Sequence, residues 1–146
     1  MRRSLALVAA AAAAAAAAVA LSAPAAAGGR PFDVDLLGAA EVPGPGDPDG
    51  SGTAGLTINP GRGEVCYTIT VADVDPVLAG HIHVGTADVA GPVVVNLAPQ
   101  VVDGTARACV AVDRDLALAI IRDPAGYYVN LHNATYPAGA LRGQLG

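Results

Sequence analysis

Clusters of glycine, proline, asparagine and aspartate break this chain at short intervals. They fall at Gly38 to Gly52, Asn59-Pro60-Gly61-Arg62-Gly63, Asp73 to Pro76, Asp123-Pro124-Ala125-Gly126 and Asn133 to Gly139. Turn-formers at this density leave room only for short elements. The runs between them mostly alternate, apolar then polar, which is the signature of a half-buried strand. Phe32 to Leu37, Thr53 to Ile58, Glu64 to Val71, the His81 segment, Pro92 to Leu97, Thr105 to Val112, Tyr127 to His132 and Ala140 to Leu145 give about eight strands. Many short strands with closely spaced turns predict an all-β fold, an antiparallel Greek-key-like β-sandwich.

Two segments depart from alternation. Pro92-Val93-Val94-Val95-Asn96-Leu97 is almost continuously apolar, which predicts a central strand. After Asp113, a plausible N-cap, Leu116, Ala117, Ile120 and Ile121 recur at helical spacing and predict one short helix ending by Arg122. Asp47, Asp49 and Gly50 echo part of a calcium loop but lack its remaining ligands and closing glutamate; a solvated acidic turn is the expectation.

The N-terminus belongs to none of this. Arg2 and Arg3 precede an apolar run from Leu5 to Leu21, followed by Ser22-Ala23-Pro24 and Ala25-Ala26-Ala27. A charged start, an apolar stretch and a small-residue end predict a secretory signal peptide over residues 1–27, leaving a domain over 28–146. The small-residue end and Gly28-Gly29 argue against a retained membrane anchor. Export places the mature protein in an extracytoplasmic, oxidising setting, where the only cysteines, Cys66 and Cys109, are expected to form a disulfide. The mature chain carries six arginines, no lysine and thirteen carboxylates, a net charge of −7, which argues against a nucleic-acid partner.

The three histidines are His81 and His83, in Gly80-His81-Ile82-His83-Val84-Gly85, and His132, in Tyr127-Tyr128-Val129-Asn130-Leu131-His132. Residues two apart on a strand share a face. His81 and His83 therefore project together, with Ile82 and Val84 opposite. His132 shares its face with Asn130 and Tyr128. Should the two strands be neighbours, three imidazoles converge, and an all-nitrogen set favours copper, with zinc the weaker alternative. Two charged residues could approach them: Glu41 as an acceptor for an imidazole N–H, Arg142 as an anion anchor. A salt bridge or loop-tethering hydrogen bonds are the competing roles for both. No catalytic residue is assigned: no Ser-His-Asp arrangement, phosphate loop or cysteine-rich zinc pattern occurs.

These motifs, taken in order, resemble a known family. Gly38-Ala39-Ala40-Glu41-Val42-Pro43, Gly63-Glu64-Val65-Cys66-Tyr67, His81-Ile82-His83, Gly91-Pro92-Val93-Val94-Val95, Tyr127 to His132 and Pro137-Ala138-Gly139-Ala140-Leu141-Arg142-Gly143-Gln144-Leu145 are similar to the CHRD (chordin) domain family across essentially the whole mature chain. Ala140 stands where many relatives have a glutamate. The resemblance implies a secreted β-sandwich module, here a bacterial member. In animal chordins such domains belong to an extracellular protein that binds growth-factor ligands. A fainter similarity links the His-x-His strand and the late histidine to the copper half of copper/zinc superoxide dismutases. No bridging histidine or zinc loop is present, so that similarity implies at most a mononuclear site.

Two functions follow as expectations. One is a secreted binding module with a three-histidine copper site, its partner an extracellular protein or small ligand, with no membrane contact after signal cleavage. The alternative is a mononuclear copper oxidoreductase acting on superoxide or a similar small oxidant. The net charge disfavours an anionic substrate unless it is steered locally.

Overall fold

The computed structural model describes residues 28–146; the expected signal peptide lies outside the described residues. Eight antiparallel strands form one sheet: β1 (Arg30–Leu37), β2 (Ser51–Asn59), β3 (Glu64–Ala72), β4 (Ala79–Val84), β5 (Val93–Asn96), β6 (Thr105–Ala111), β7 (Tyr127–His132) and β8 (Leu141–Gln144). One helix, α1 (Arg114–Arg122), lies between β6 and β7. The strand order is β5-β4-β7-β8-β1-β2-β3-β6. At the middle, β8 meets β1 through the single pair Leu37↔Arg142. The sheet therefore works as two four-stranded halves folded over one core, as the alternation predicts. Gly143 marks a close approach between the halves: a Cβ there would overlap the Asp35 carbonyl and the Val34 side chain.

Alternation decides what the core contains. Leu36, Ile58 and Ile69 from one half and Ile82, Val129 and Leu131 from the other are fully buried together. Tyr67 on β3 donates to the Leu97 carbonyl just beyond β5 (2.9 Å) and ties the halves across the core. The β2–β3 turn is closed by Asn59, whose Oδ1 accepts from Arg62 N (3.0 Å), and by Gly63 at φ +66, a conformation glycine adopts without strain. Asp113 caps α1 as predicted: its carboxylate accepts from Asp115 N and Leu116 N (2.9 and 3.1 Å). Cys66 and Cys109 face each other in register on β3 and β6 and form the expected disulfide. No helix among the described residues is long and apolar enough to cross a membrane.

Two expectations are corrected. The apolar run at Val93–Asn96 is an edge strand, paired only with β4. Its residues do not serve one buried layer: Val95 and Leu97 enter the core, while Val93 is 48% exposed. Continuous hydrophobicity thus marks two different environments here. Asp47, expected in a solvated turn, is buried. Its Oδ1 accepts from Asp49 N and Gly50 N, and its own N–H donates to the Ala140 carbonyl (2.9 Å). That bond folds the 38–50 loop back onto the start of β8, which matters for the site.

Candidate metal centre

The site forms on the outer face of β4, β7 and β8, opposite the core. Register sets its rows: His81 lies across from Asn130, which lies across from Arg142; His83 lies across from Tyr128, which lies across from Gln144. His132 pairs with Ala79 and so sits diagonally beside His81. The strand neighbourhood that the sequence left open is therefore met, and the three imidazoles converge. Ring centroids are 5.0 Å apart for His81–His132, 5.6 Å for His81–His83 and 6.3 Å for His83–His132. One ring nitrogen from each lies within 4.8 Å of the others.

Hydrogen bonds orient the rings. His83 Nδ1 lies 2.8 Å from the Gly91 carbonyl, and His132 Nδ1 lies 3.1 Å from the Pro137 carbonyl. A carbonyl only accepts, so both Nδ1 atoms carry the proton and both Nε2 atoms present a lone pair. His83 Nε2 is buried with no protein partner. His132 Nε2 points at His81 Nδ1, 3.1 Å away. In the metal-free protein, His81 Nδ1–H donates to that lone pair; a shift of its proton to Nε2 would free Nδ1 to ligate.

These residues fit a first-row metal. With bonds of about 2.0–2.1 Å, adjacent ligand nitrogens stand about 2.9–3.3 Å apart and opposed ones about 4.1 Å. The His81–His132 separation of 3.1 Å is already in the first range. The outer limit of 4.8 Å exceeds the second by about 0.7 Å, within the reach of a small ring rotation. Electrostatics agree. Burial holds all three imidazoles below the ordinary histidine value, reinforced at His81 by the His132 and His83 charges, at His83 by Arg142 and at His132 by His83. The carbonyl bonds of His83 and His132 oppose this only in part. Neutral imidazole is the ligating form, so the site stands ready at neutral pH.

Around the histidines lies a polar layer that loops seal from water. Tyr128 stacks on His83 (4.8 Å between centroids, 10° between planes) and carries the Arg142 guanidinium 3.4 Å from its ring centre. The strand order puts His83 and Arg142 on opposite sides of Tyr128. Arg142 donates to the Thr86 and Val89 carbonyls (2.8 and 3.1 Å), and Gln144 donates to Gly85 O (2.7 Å). Gly91 N donates to the Tyr128 hydroxyl (3.0 Å). The 85–92 loop is thereby strapped over the face, and its Gly91 carbonyl is the one that orients His83. No side chain is possible at Gly91, because a Cβ would overlap Val84 O.

Glu41 reaches the same layer from the 38–50 loop. Both its oxygens accept from Asn130 Nδ2 (3.0 and 2.9 Å). Its partner is thus Asn130, not an imidazole, and the bonds of Arg142 go to loop carbonyls. Burial pushes the Glu41 carboxyl up to about 7, against the lowering effects of the Asn130 bond and the Arg142 charge. Sequence reasoning placed Tyr128 and Asn130 on the face of His132 but gave them no role. The orienting Gly91 and Pro137 carbonyls carry no side-chain signal and were not foreseeable from residue type.

No curated protein and no solved structure matches this chain. A family model for the CHRD domain matches residues 32–145, from the first core strand to the end of the last and across every element of the site. The chain belongs to the CHRD domain family.

Proposed function

We propose that this chain is an exported CHRD-domain binding module whose His81, His83 and His132 hold one copper ion, with zinc the weaker occupant. The observation that carries the reading is the convergence of three ring nitrogens within 4.8 Å, two of the rings held in the ligating tautomer by carbonyls of separate loops. An all-imidazole set without carboxylate or thiolate favours copper(II) on intrinsic affinity. Export is supported by the arginine-led apolar leader and by the Cys66–Cys109 disulfide. The partner is an extracellular protein or small ligand.

Calorimetric titration of the exported, untagged protein with copper(II) and zinc(II) tests this. One equivalent of copper should bind, more tightly than zinc, with a three-nitrogen signature by electron paramagnetic resonance. His83→Ala should weaken copper by more than about 100-fold, beyond the usual cost of losing a residue that merely supports a ligand. Equal copper affinity in wild type and His83→Ala refutes the site. His81 and His132 are only half-buried, which leaves a solvent-side position on the ion. Superoxide consumption by the loaded protein beyond that of free copper would move the reading to the oxidoreductase.

A further inference from the structure

Glu41 is poorly suited to its surroundings if it is only a structural pin. It is 7% exposed, and burial of its charge is the largest influence on it. A glutamine could keep one of the two Asn130 bonds through its amide oxygen without burying a charge, its own NH2 turned away from Asn130 Nδ2. A protein that buries a charge where a neutral isostere would serve gives up stability, and such sites are commonly functional.

The layer around it supplies a reason. Arg142 is 2% exposed, its guanidinium lies on Tyr128, and Tyr128 stacks on His83. Its positive charge is felt at His83 and would oppose a cation bound there. Glu41 is the acidic group from the 38–50 loop that faces Arg142, and its carboxylate bonds Asn130, the residue directly across from His81. The carboxylate also presses on Gly139, where a Cβ would overlap it, two residues beyond the Pro137 carbonyl that orients His132. It thus touches the neighbours of two ligands and counters the charge beside the third.

We infer that Glu41 is the counter-charge of the histidine site, a positioning residue whose buried carboxylate offsets Arg142 so that a divalent cation can sit beside it. The inference rests on the three-histidine reading and adds to it that the anion is kept at the expense of fold stability. It predicts opposite signs from one substitution. At pH 8 and low salt, Glu41→Gln should raise the melting temperature of the metal-free protein and weaken copper(II) and zinc(II) about tenfold, the lower end of what supporting residues contribute. Glu41→Asp, which restores the charge, should recover part of the affinity. A Glu41→Gln protein that binds both ions like wild type overturns the inference, as does one that loses stability and affinity together, since that is a purely structural role. Wild-type protein that takes up no copper overturns the histidine site itself, whereas wild-type binding unchanged in Glu41→Gln sinks only the role of Glu41.

Discussion

Glu41→Gln also gives a quantitative test of how the polar layer is built, independent of any metal. Burial raises the Glu41 carboxyl from 4.5 to about 7. A raised acid keeps its proton in the folded state over a range where the unfolded chain has lost it. For this group, stability is therefore greatest below about pH 4.5, falls as pH rises between 4.5 and 7, and is level above that. At about 1.4 kcal/mol per pH unit, the interval is worth about 3 kcal/mol, an upper figure because relaxation of the loop would reduce it. Glutamine has no such penalty. The stability gain of Glu41→Gln over wild type should thus grow by about 2–3 kcal/mol from pH 4.5 to pH 8, about 10 °C in melting temperature for a domain of this size. The three histidines are common to both proteins, so their own contribution to the pH dependence cancels in the difference. Urea denaturation of metal-free wild type and variant at half-unit pH steps is the assay. A difference that stays flat with pH, or that shrinks as pH rises, would refute the claim that Glu41 is buried against its own ionisation.

Three further outcomes follow from the fold. Replacing both Cys66 and Cys109 with serine should cost about 3–4 kcal/mol in urea denaturation through loss of a 43-residue loop closure, yet leave the copper affinity of the folded protein unchanged, because the bridge joins β3 to β6 in the half of the sheet without histidines. Asp113→Ala removes two capping bonds from α1 and should lower stability by about 1 kcal/mol in the same assay. Gly143→Ala forces a Cβ into the Asp35 carbonyl and should cost about 3 kcal/mol or more, read as a lowered urea midpoint, where a surface Gly→Ala change would be near neutral.

The parts of this molecule that can be read from sequence are those set by local periodicity. Ile82 between His81 and His83, and Val129 and Leu131 between Tyr128, Asn130 and His132, fix which side chains face the core, so the histidine face was legible before any strand had a neighbour. The Asp113 cap and the helical spacing of Ala117 and Ile120 are equally local. The Val93 to Leu97 run misleads because hydrophobicity reports burial and not position in a sheet. An edge strand that lends Val95 to the core reads like a central one. Asp47 misleads for a related reason, and the partner in the loop-tethering bond expected of Glu41 could not be named. Each lies in a glycine- and proline-rich loop, and tertiary bonds, from Asp47 N to the Ala140 carbonyl and from Asn130 Nδ2 to the Glu41 carboxylate, hold that loop inward where both are buried. Polar burial of this kind comes from long-range contacts, to which no spacing rule applies.

The pairing of β4 with β7 joins His81 to His132 across 51 residues of chain, with two strands and the helix between them. An unfolded chain offers at most the His81-x-His83 fragment, a far poorer chelator than three converged rings. The three imidazoles converge only after β7 has docked, so metal binding at this proposed site would be linked to folding and not to any local segment. Each tenfold rise in free ion above the dissociation constant then adds about 1.4 kcal/mol to the folded state. Under the proposed function, a supply of the bound metal would act on this protein as a stabiliser whose strength tracks its concentration, and a chelator would return the domain to its intrinsic melting temperature without breaking a covalent bond.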